Sequence, residues 1–298
     1  MDYLKLISAL QGNAKVLECS GTTRIVLMSD CHRGDGSRAD TFFRNRNVYL
    51  AALQHYYAEN YTYIELGDGD ELWENRSLAG IIDAHPEVFE RLSWFLNDGR
   101  FYSLAGNHDI ERTNSHYEPA ARRSPQRARL ITQFQLLKTY ASIRLVFGNG
   151  DDILLVHGHQ VDALNSTWWR LARFLVRHLW RPLESFGVSD PTSAAKNYVR
   201  RERTEKRLIE WVCDNRRMLI AGHTHRPVFP DIGAPPYFND GSCVHPGCIT
   251  AIEIADGSIA LVKWCVKVRA DGVLHVGRDV LAGPAPLEDW FRLPPSCP

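Results

Sequence analysis

The sequence predicts an α/β fold in which several strands deliver their carboxyl ends to one polar site. Three observations carry this. Five apolar runs of strand length each end in a short cluster rich in Asp and His. The segments between the earlier runs have helical periodicity, the strand-loop-helix-strand order of a βαβ crossover. After residue 225 the chain turns to short alternating runs separated by Asp-Gly turns. Open α/β sheets place their ligands at strand carboxyl ends, so the five clusters are expected to converge.

Taken in order, Met1 to Gln11 reads as a short amphipathic helix. The strand Ile25 to Met28 then runs into Ser29-Asp30-Cys31-His32 and a polar loop, Arg33 to Ser37. Residues 40–57 form a helix with Phe42, Phe43, Val48, Tyr49, Ala52, Leu53 and Tyr56 on one broad face. The strand Tyr61 to Leu66 leads into Gly67-Asp68-Gly69-Asp70-Glu71, and helical periodicity follows through Phe89, Leu92 and Phe95, interrupted at Pro86. Asn97-Asp98-Gly99 stops it, and Phe101 to Ala105 leads into Gly106-Asn107-His108-Asp109. A polar loop carries Arg122 and Arg123, a helix spans 126–140, and Ile153 to Val156 leads into His157-Gly158-His159. A helical insert covers 164–215. Its first part, 164–183, sets an apolar line of Trp168, Leu171, Leu175 and Leu179 beside a stripe of Arg170, Arg173, Arg177 and Arg181. Met218 to Ala221 leads into Gly222-His223-Thr224-His225. Runs at 249–254, 259–268 and 273–280 are expected to form hairpins of a second sheet, and the Pro-rich end from Gly283 to trail over the surface.

At 298 residues the chain can bury a full core, and with no linker in view it is expected to be one domain over 1–298. Lys plus Arg and Asp plus Glu both number 35, so the balance names no polyanionic partner, and there is no strong nucleic-acid signal. The amino terminus lacks the marks of a secretion signal, and no run approaches the roughly 18 apolar residues of a spanning helix. The seven cysteines are scattered and lack zinc-type spacing; they are expected to be mostly reduced thiols of a cytoplasmic protein.

Two divalent ions held close together need a bridging carboxylate, further nitrogen and oxygen ligands, and room for substrate. Asp30 and His32, two apart on an extended strand end, would point the same way. Asp68 is the candidate bridge, because Gly67 before it allows the turn that brings both carboxylate oxygens to the site. Asn107 offers a neutral oxygen, and His157, His223 and His225 offer nitrogens. Cys31, between two candidates, should point away. His55, His85, His116, His178, His245 and His275 fall outside the pattern and read as ordinary histidines.

Asp30-x-His32, Gly67-Asp68-x-x-Glu71, Gly106-Asn107-His108-Asp109, His157-Gly158-His159 and Gly222-His223-Thr224-His225 resemble the ordered blocks of the calcineurin-like metallophosphoesterases. The resemblance implies a four-layer α/β/β/α sandwich with a two-metal centre at one edge and the helical insert over it. By position, Asp30, His32 and His225 would bind the first metal and Asp68 would bridge. Asn107, His157 and His223 would bind the second. His108 would be the acid with Asp109 orienting it, and His159 would lie on the first-metal side. Gly67-Asp68-x-x-Glu71-x-Trp73, the helical insert before Gly222-His223-Thr224-His225, and Arg226-Pro227 after it look most like the UDP-2,3-diacylglucosamine hydrolase branch. Two departures stand against that branch and block: Glu71 where the block usually has Asp, and His108 where the hydrolases carry Arg.

The reaction expected is hydrolysis of a phosphodiester or pyrophosphate by a hydroxide bridging two divalent ions, manganese first, with Fe, Zn or Ni also suited. Arg33, His159, Arg122 and Arg123 are the candidate substrate contacts. The insert would act as a lid whose 164–183 part meets lipid at the inner membrane surface, or would only pack its apolar face on the body with the arginines solvated; a nucleotide-sugar or lipid-linked substrate is what the resemblance to the hydrolase branch implies. A phosphomonoesterase or protein phosphatase and a non-catalytic metal scaffold are the alternatives. The Arg-Gly pair of the protein phosphatases is absent after Glu71, where Leu72-Trp73 stands. Oligomeric state is left open.

Overall fold

Alternate residues of the strands are apolar on both sides, and this forces two packed interiors on each sheet. A computed structural model describes residues 3–75, 77–109, 124–162 and 198–292. One sheet has seven strands. In spatial order they are Leu274–Pro286 (β12), Ser258–Val268 (β11), Cys248–Ala255 (β10), Arg24–Met28 (β2), Thr62–Glu65 (β3), Phe101–Leu104 (β4) and Thr139–Tyr140 (β5). The other has five: Lys15–Cys19 (β1), Ile143–Phe147 (β6), Asp152–Leu155 (β7), Met218–Ala221 (β8) and Tyr237–Asn239 (β9).

The layering can be read from β2. Ile25 and Leu27 face Ile64, Leu145, Ile153, Leu155 and Ile220 between the sheets. Val26 and Met28 face the helices on the other side. Those helices are Arg46–Ala58 (α2), Leu78–Ala84 (α3), Pro86–Asn97 (α4) and Pro125–Gln135 (α5). In α2 the buried residues Val48, Tyr49, Ala52, Leu53 and Tyr56 recur at helical spacing. Pro86 opens α4 rather than breaking it, since a first-turn proline gives up no helical hydrogen bond. On the outer face of the five-stranded sheet, Tyr3–Gly12 (α1) and Tyr198–Asn215 (α6) bury Ile7, Leu208, Trp211 and Val212 against Leu154, Val156, Leu219 and Ala221. The order helix, sheet, sheet, helix is the expected sandwich.

Strands β2, β3, β4 and β5 run parallel, as do β7, β8 and β9. Their carboxyl ends therefore open on the same side of each sheet. Several elements differ from expectation. The three late strands do not form a sheet of their own: β10 pairs antiparallel with β2, setting Ile252 against Leu27 so that Ile252 and Ile254 continue the core between the sheets. The helix expected from residue 40 is α-helical only from Arg46, because the Asp40 carboxylate accepts the Gly36 and Phe43 N–H groups and the His85 ring and holds a turn there. The helix expected over 126–140 stops at Gln135, and Thr139–Tyr140 pairs with β4. The Pro-rich end does not trail from Gly283: β12 runs to Pro286 and a short helix, Glu288–Phe291 (α7), packs Trp290 on Phe229 and Phe238. Cys19, Cys31, Cys243, Cys248 and Cys265 are free thiols, whereas Cys213 is in a disulfide. Arg122, Arg123 and the 164–183 stripe lie outside the described residues.

Candidate metal centre

The five polar clusters do meet, and the backbone bends sharply to let them. Asp30, His32, Asp68, His223 and His225 all have left-handed φ, between 47° and 67°. Non-glycine residues adopt this region at a cost of about 1–3 kcal/mol each, and such strain collects at functional sites. Asp30 and His32 therefore do not sit on an extended end: two left-handed bends, not strand alternation, aim both side chains inward. Glycine is needed beside them. A Cβ on Gly106 would stand 2.1 Å from Asp68 Oδ1, and one on Gly67 2.8 Å from the His157 ring.

Among the described residues three groups of three could hold an ion: the two expected, Asp30 with His32 and His225 and Asp68 with His157 and His223, and a third, His32 with Glu71 and His108. His225 Nε2 lies 3.0 Å from Asp30 Oδ1, and His32 Nε2 3.7 Å from the same oxygen. Asp68 Oδ2 stands between the groups, 3.2 Å from His157 Nε2 and 3.9 Å from His32 Nε2. Its Oδ1 accepts the His108 N–H, so one oxygen, not both, faces the two groups. Asp30 Oδ2 is likewise taken, by the Ser29 hydroxyl and the His223 N–H, which leaves Oδ1 inward.

Hydrogen bonds fix which nitrogen each ring turns inward. His32 Nδ1 donates to Glu71 Oε2 and His157 Nδ1 to the Leu66 carbonyl, each at 2.8 Å, leaving Nε2 in both. His223 is reversed: its Nε2, not its Nδ1, is held from outside, 3.4 Å from Asp162 Oδ2. Apart from the approaches of His225 to Asp30 and of His157 to Asp68, Asp30 Oδ1 and His157 Nε2 are buried without a hydrogen bond, as are both polar atoms of the Asn107 side chain. Buried polar atoms without partners are costly. Carboxylate and imidazole atoms gathered within 4.8 Å of one another fit divalent cations of the Mn, Fe, Zn and Ni kind, and Asn107 adds a buried amide without a hydrogen bond. Cys31 turns away into the helix-side core, as expected.

The charges agree with this arrangement. Burial would raise Asp30 and Asp68, but neighbouring histidines outweigh it and hold both well below the usual carboxylate range. Burial likewise opposes the charge on His157, yet Asp68 lifts its pKa to about 9. Burial and the neighbouring imidazoles push His159 well down. On His108, burial is outweighed by Glu71 and Asp68, and the net shift is upward.

Other predicted residues are placed differently from expectation. Asp109 does not orient His108: its oxygens accept the Gly69 and Gly106 N–H groups and tie two loops together. Glu71 takes the orienting position, its Oε1 accepting His108 Nδ1 at 2.8 Å while Oε2 holds His32. Trp73 stacks on the His108 ring at 4.2 Å. His159 lies beside His157 and His223, on the second group's side rather than the first. Arg33 is not a substrate contact. It is fully buried, forking onto both oxygens of Glu65 and onto Asp70, and so fastens the Asp30-His32 loop to the Asp68-Glu71 loop.

Asp162, Arg200, Ser29 and Asp240 were missed. Arg200 of α6 clamps Asp162 at 2.7 and 2.8 Å, so the helix that closes the insert supports His223. Ser29 bridges Asp30 to Asp240. The Asn239-Asp240-Gly241-Ser242 cluster directly after an apolar run was the available signal for Asp240. Asp162, in a loop without pattern, gave none.

The family model for calcineurin-like phosphoesterases matches residues 23–227. Comparison with curated proteins finds no match. Among solved structures, the crystal structure of Chaetomium thermophilum Vps29 aligns over 87% of this chain and 96% of its own, at 10% identity and a TM-score of 0.38, a likeness too distant to bear on function.

Two variants test this geometry. Arg33→Met leaves Glu65 and Asp70 buried without the guanidinium and should cost about 3–5 kcal/mol in urea unfolding of the metal-free protein; a loss below about 1 kcal/mol would show that the staple is unimportant. Asp162→Ala removes the acceptor that fixes the His223 ring, and should weaken Mn(II) binding about 10- to 100-fold, followed by paramagnetic resonance titration. Unchanged affinity would mean that Asp162 does not set the tautomer of His223.

Proposed function

The chain belongs to the calcineurin-like phosphoesterase family, and on that premise we propose that it is a two-metal hydrolase of phosphodiester or pyrophosphate bonds. The observation that carries this reading is the pair of three-residue groups, Asp30 with His32 and His225 and Asp68 with His157 and His223, with Asp68 Oδ2 3.9 Å from His32 Nε2 across them and one nitrogen each of His32, His157 and His223 set against an acceptor outside its group. Asp30, His32 and His225 would hold one ion, and Asn107, His157 and His223 the other, with Asp68 on both. When bound, the ions supply Lewis-acid charge to the phosphoryl oxygens and lower the pKa of water.

The chain's own part is positioning and proton handling. With Nδ1 bonded to Glu71 and its face against Trp73, His108 has a fixed ring and one nitrogen, Nε2, left for the leaving oxygen. Glu71 and Asp68 raise its pKa, the direction that favours the protonated form a general acid needs. His159 is kept neutral and nearly buried, which suits a hydrogen bond to an incoming phosphate better than an ion pair.

The finer assignment, a nucleotide-sugar or lipid-linked substrate as in the UDP-2,3-diacylglucosamine hydrolases, rests on the Glu71-x-Trp73 and Arg226-Pro227 motifs. Both motifs have work of another kind here: Trp73 supports His108, and Arg226 pairs with Glu205 of α6. No helix among the described residues is long and apolar enough to cross a membrane. The cytoplasm is the proposed location, supported by the free thiols and opposed by the disulfide at Cys213.

The deciding experiment is metal analysis of the purified protein followed by hydrolysis of bis-p-nitrophenyl phosphate and p-nitrophenyl phosphate with added manganese. Close to two ions per chain and preferred turnover of the diester are expected. Asp68→Ala should lower bound metal and cut turnover about a thousandfold while the chain stays folded; full activity with full metal content would refute the assignment.

A second prediction concerns pH. Below about 9 His157 carries a proton in the metal-free protein, and a ligand must be neutral, so metal binding has to displace it. Apparent affinity should rise with pH up to about 9. Calorimetry at neutral pH in two buffers of different ionisation enthalpy should report proton release; none would contradict the role of His157.

A further inference from the structure

Strand β12 forms one edge of the seven-stranded sheet, and among the described residues nothing pairs with its outer side. Such an edge offers a row of N–H and C=O groups, which proteins usually blunt with charges, prolines or short length. β12 has its charges, prolines and bulge at Arg278, Asp279 and from Leu281 to Pro286, yet it also exposes large apolar side chains, Leu274 at 65%, Val280 at 43% and Leu281 at 46%, with Val273 just before it at 51%. Beside them on β11, Val266 and Val268 are exposed as well, on the same face as Leu274 and Val280.

The order of these residues is self-complementary. Leu274 and Val280 are equidistant from Gly277, as are Val273 and Leu281, and so are His275 and Asp279. In an antiparallel pair, residues directly opposite share a face and touch. Turning β12 about an axis through Gly277 therefore sets Leu274 against Val280, His275 against a carboxylate and Val276 against the stem of Arg278. The main chain agrees. The Arg269 N–H bonds to the Val273 carbonyl, so odd-numbered residues from 273 turn their polar groups toward β11. Those of Leu274, Val276, Arg278 and Val280 face outward, and these are the residues that would exchange bonds with one another. Gly277 meets its own counterpart at the axis, where the strands come closest and a side chain would crowd them; the Lys267 stem already covers its face.

We propose that this chain forms a two-fold dimer in which β12 pairs antiparallel with β12 of a second copy, centred on Gly277. Each copy lends the same edge, so the pairing closes on itself and leaves no growing end. Asp279, already bound to Lys267, lies opposite the partner's His275, and Arg278 keeps its bidentate contact with Glu253. The inference is independent of the reaction, since β10 and β11 separate this edge from β2.

The test is sedimentation velocity of the full chain and three exposed-surface variants, each checked for an unchanged melting curve. The wild-type chain should be a dimer at about 10 μM. Leu274→Glu and Val280→Lys should each weaken association about tenfold or more, because each change strikes the interface twice. The double variant should recover to within a few fold of wild type, because only in this register does position 274 face position 280 of the other copy. A monomeric wild type up to about 100 μM overturns the dimer. Dimers that both single variants leave intact overturn this interface, and a double variant that stays monomeric overturns the pairing about Gly277.

Discussion

Asp30 and Asp68 are almost completely buried at the ends of neighbouring parallel strands, and every other part of the site answers to that fact. Two carboxylates so placed cannot stay ionised on their own in a medium of low dielectric. Here they do so because histidines crowd round them, and because each carboxylate has one oxygen tied to neighbouring hydrogen-bond donors and the other turned inward. In the metal-free chain the positive charge comes from protonated imidazoles. Bound divalent ions would supply that charge instead, since the inward atoms of each group already stand within 4.8 Å of one another.

Holding such a group together needs a scaffold stiffer than the loops that bear it. The left-handed bends at five of its residues raise the energy of those loops, and a relaxed loop would swing the side chains apart. Arg33 resists that swing from behind. Its fork onto Glu65 and Asp70 joins the loop after β2 to the loop after β3, and Asp109 joins the latter to the loop after β4 through two more N–H groups. On the other sheet the Arg200-Asp162 clamp does the same for His223. Groups that a phosphate-binding reading would first assign to substrate are thus engaged in keeping ligands in register.

The strands that end in Asp and His clusters were legible because such runs are local: their apolar pattern and the polar residues that follow can be read within ten residues. The partition into two sheets was not, since β10 could pair anywhere until the contact of Ile252 with Leu27 was known. Short strands such as Lys15–Cys19 and Thr139–Tyr140 carry too few residues to show a period. Among site residues, Asp30, His32 and His225 stand together, as do Asp68, His157 and His223, while Asp162, Arg200 and Asp240 act across long sequence separations and leave no trace in spacing. Arg33 and Asp109 misled for the opposite cause: polar residues beside ligands look like participants, yet a buried loop also needs polar partners for its own backbone.

Glu71 shows how closely the two tasks of the site are joined. An Asp at this position would have to reach two imidazoles with a side chain one methylene shorter. Glu71 gives Oε2 to His32, a candidate metal ligand, and Oε1 to His108, the candidate acid, at equal lengths of 2.8 Å. The two rings meet edge to face at 4.7 Å, so a shift of either is felt by the other through both the carboxylate and the ring contact. A single carboxylate therefore sets the tautomer of a ligand and of the proton donor together. The departure from Asp to Glu, which in the sequence looks like a loosening of the motif, is in the folded chain what lets one side chain span both rings.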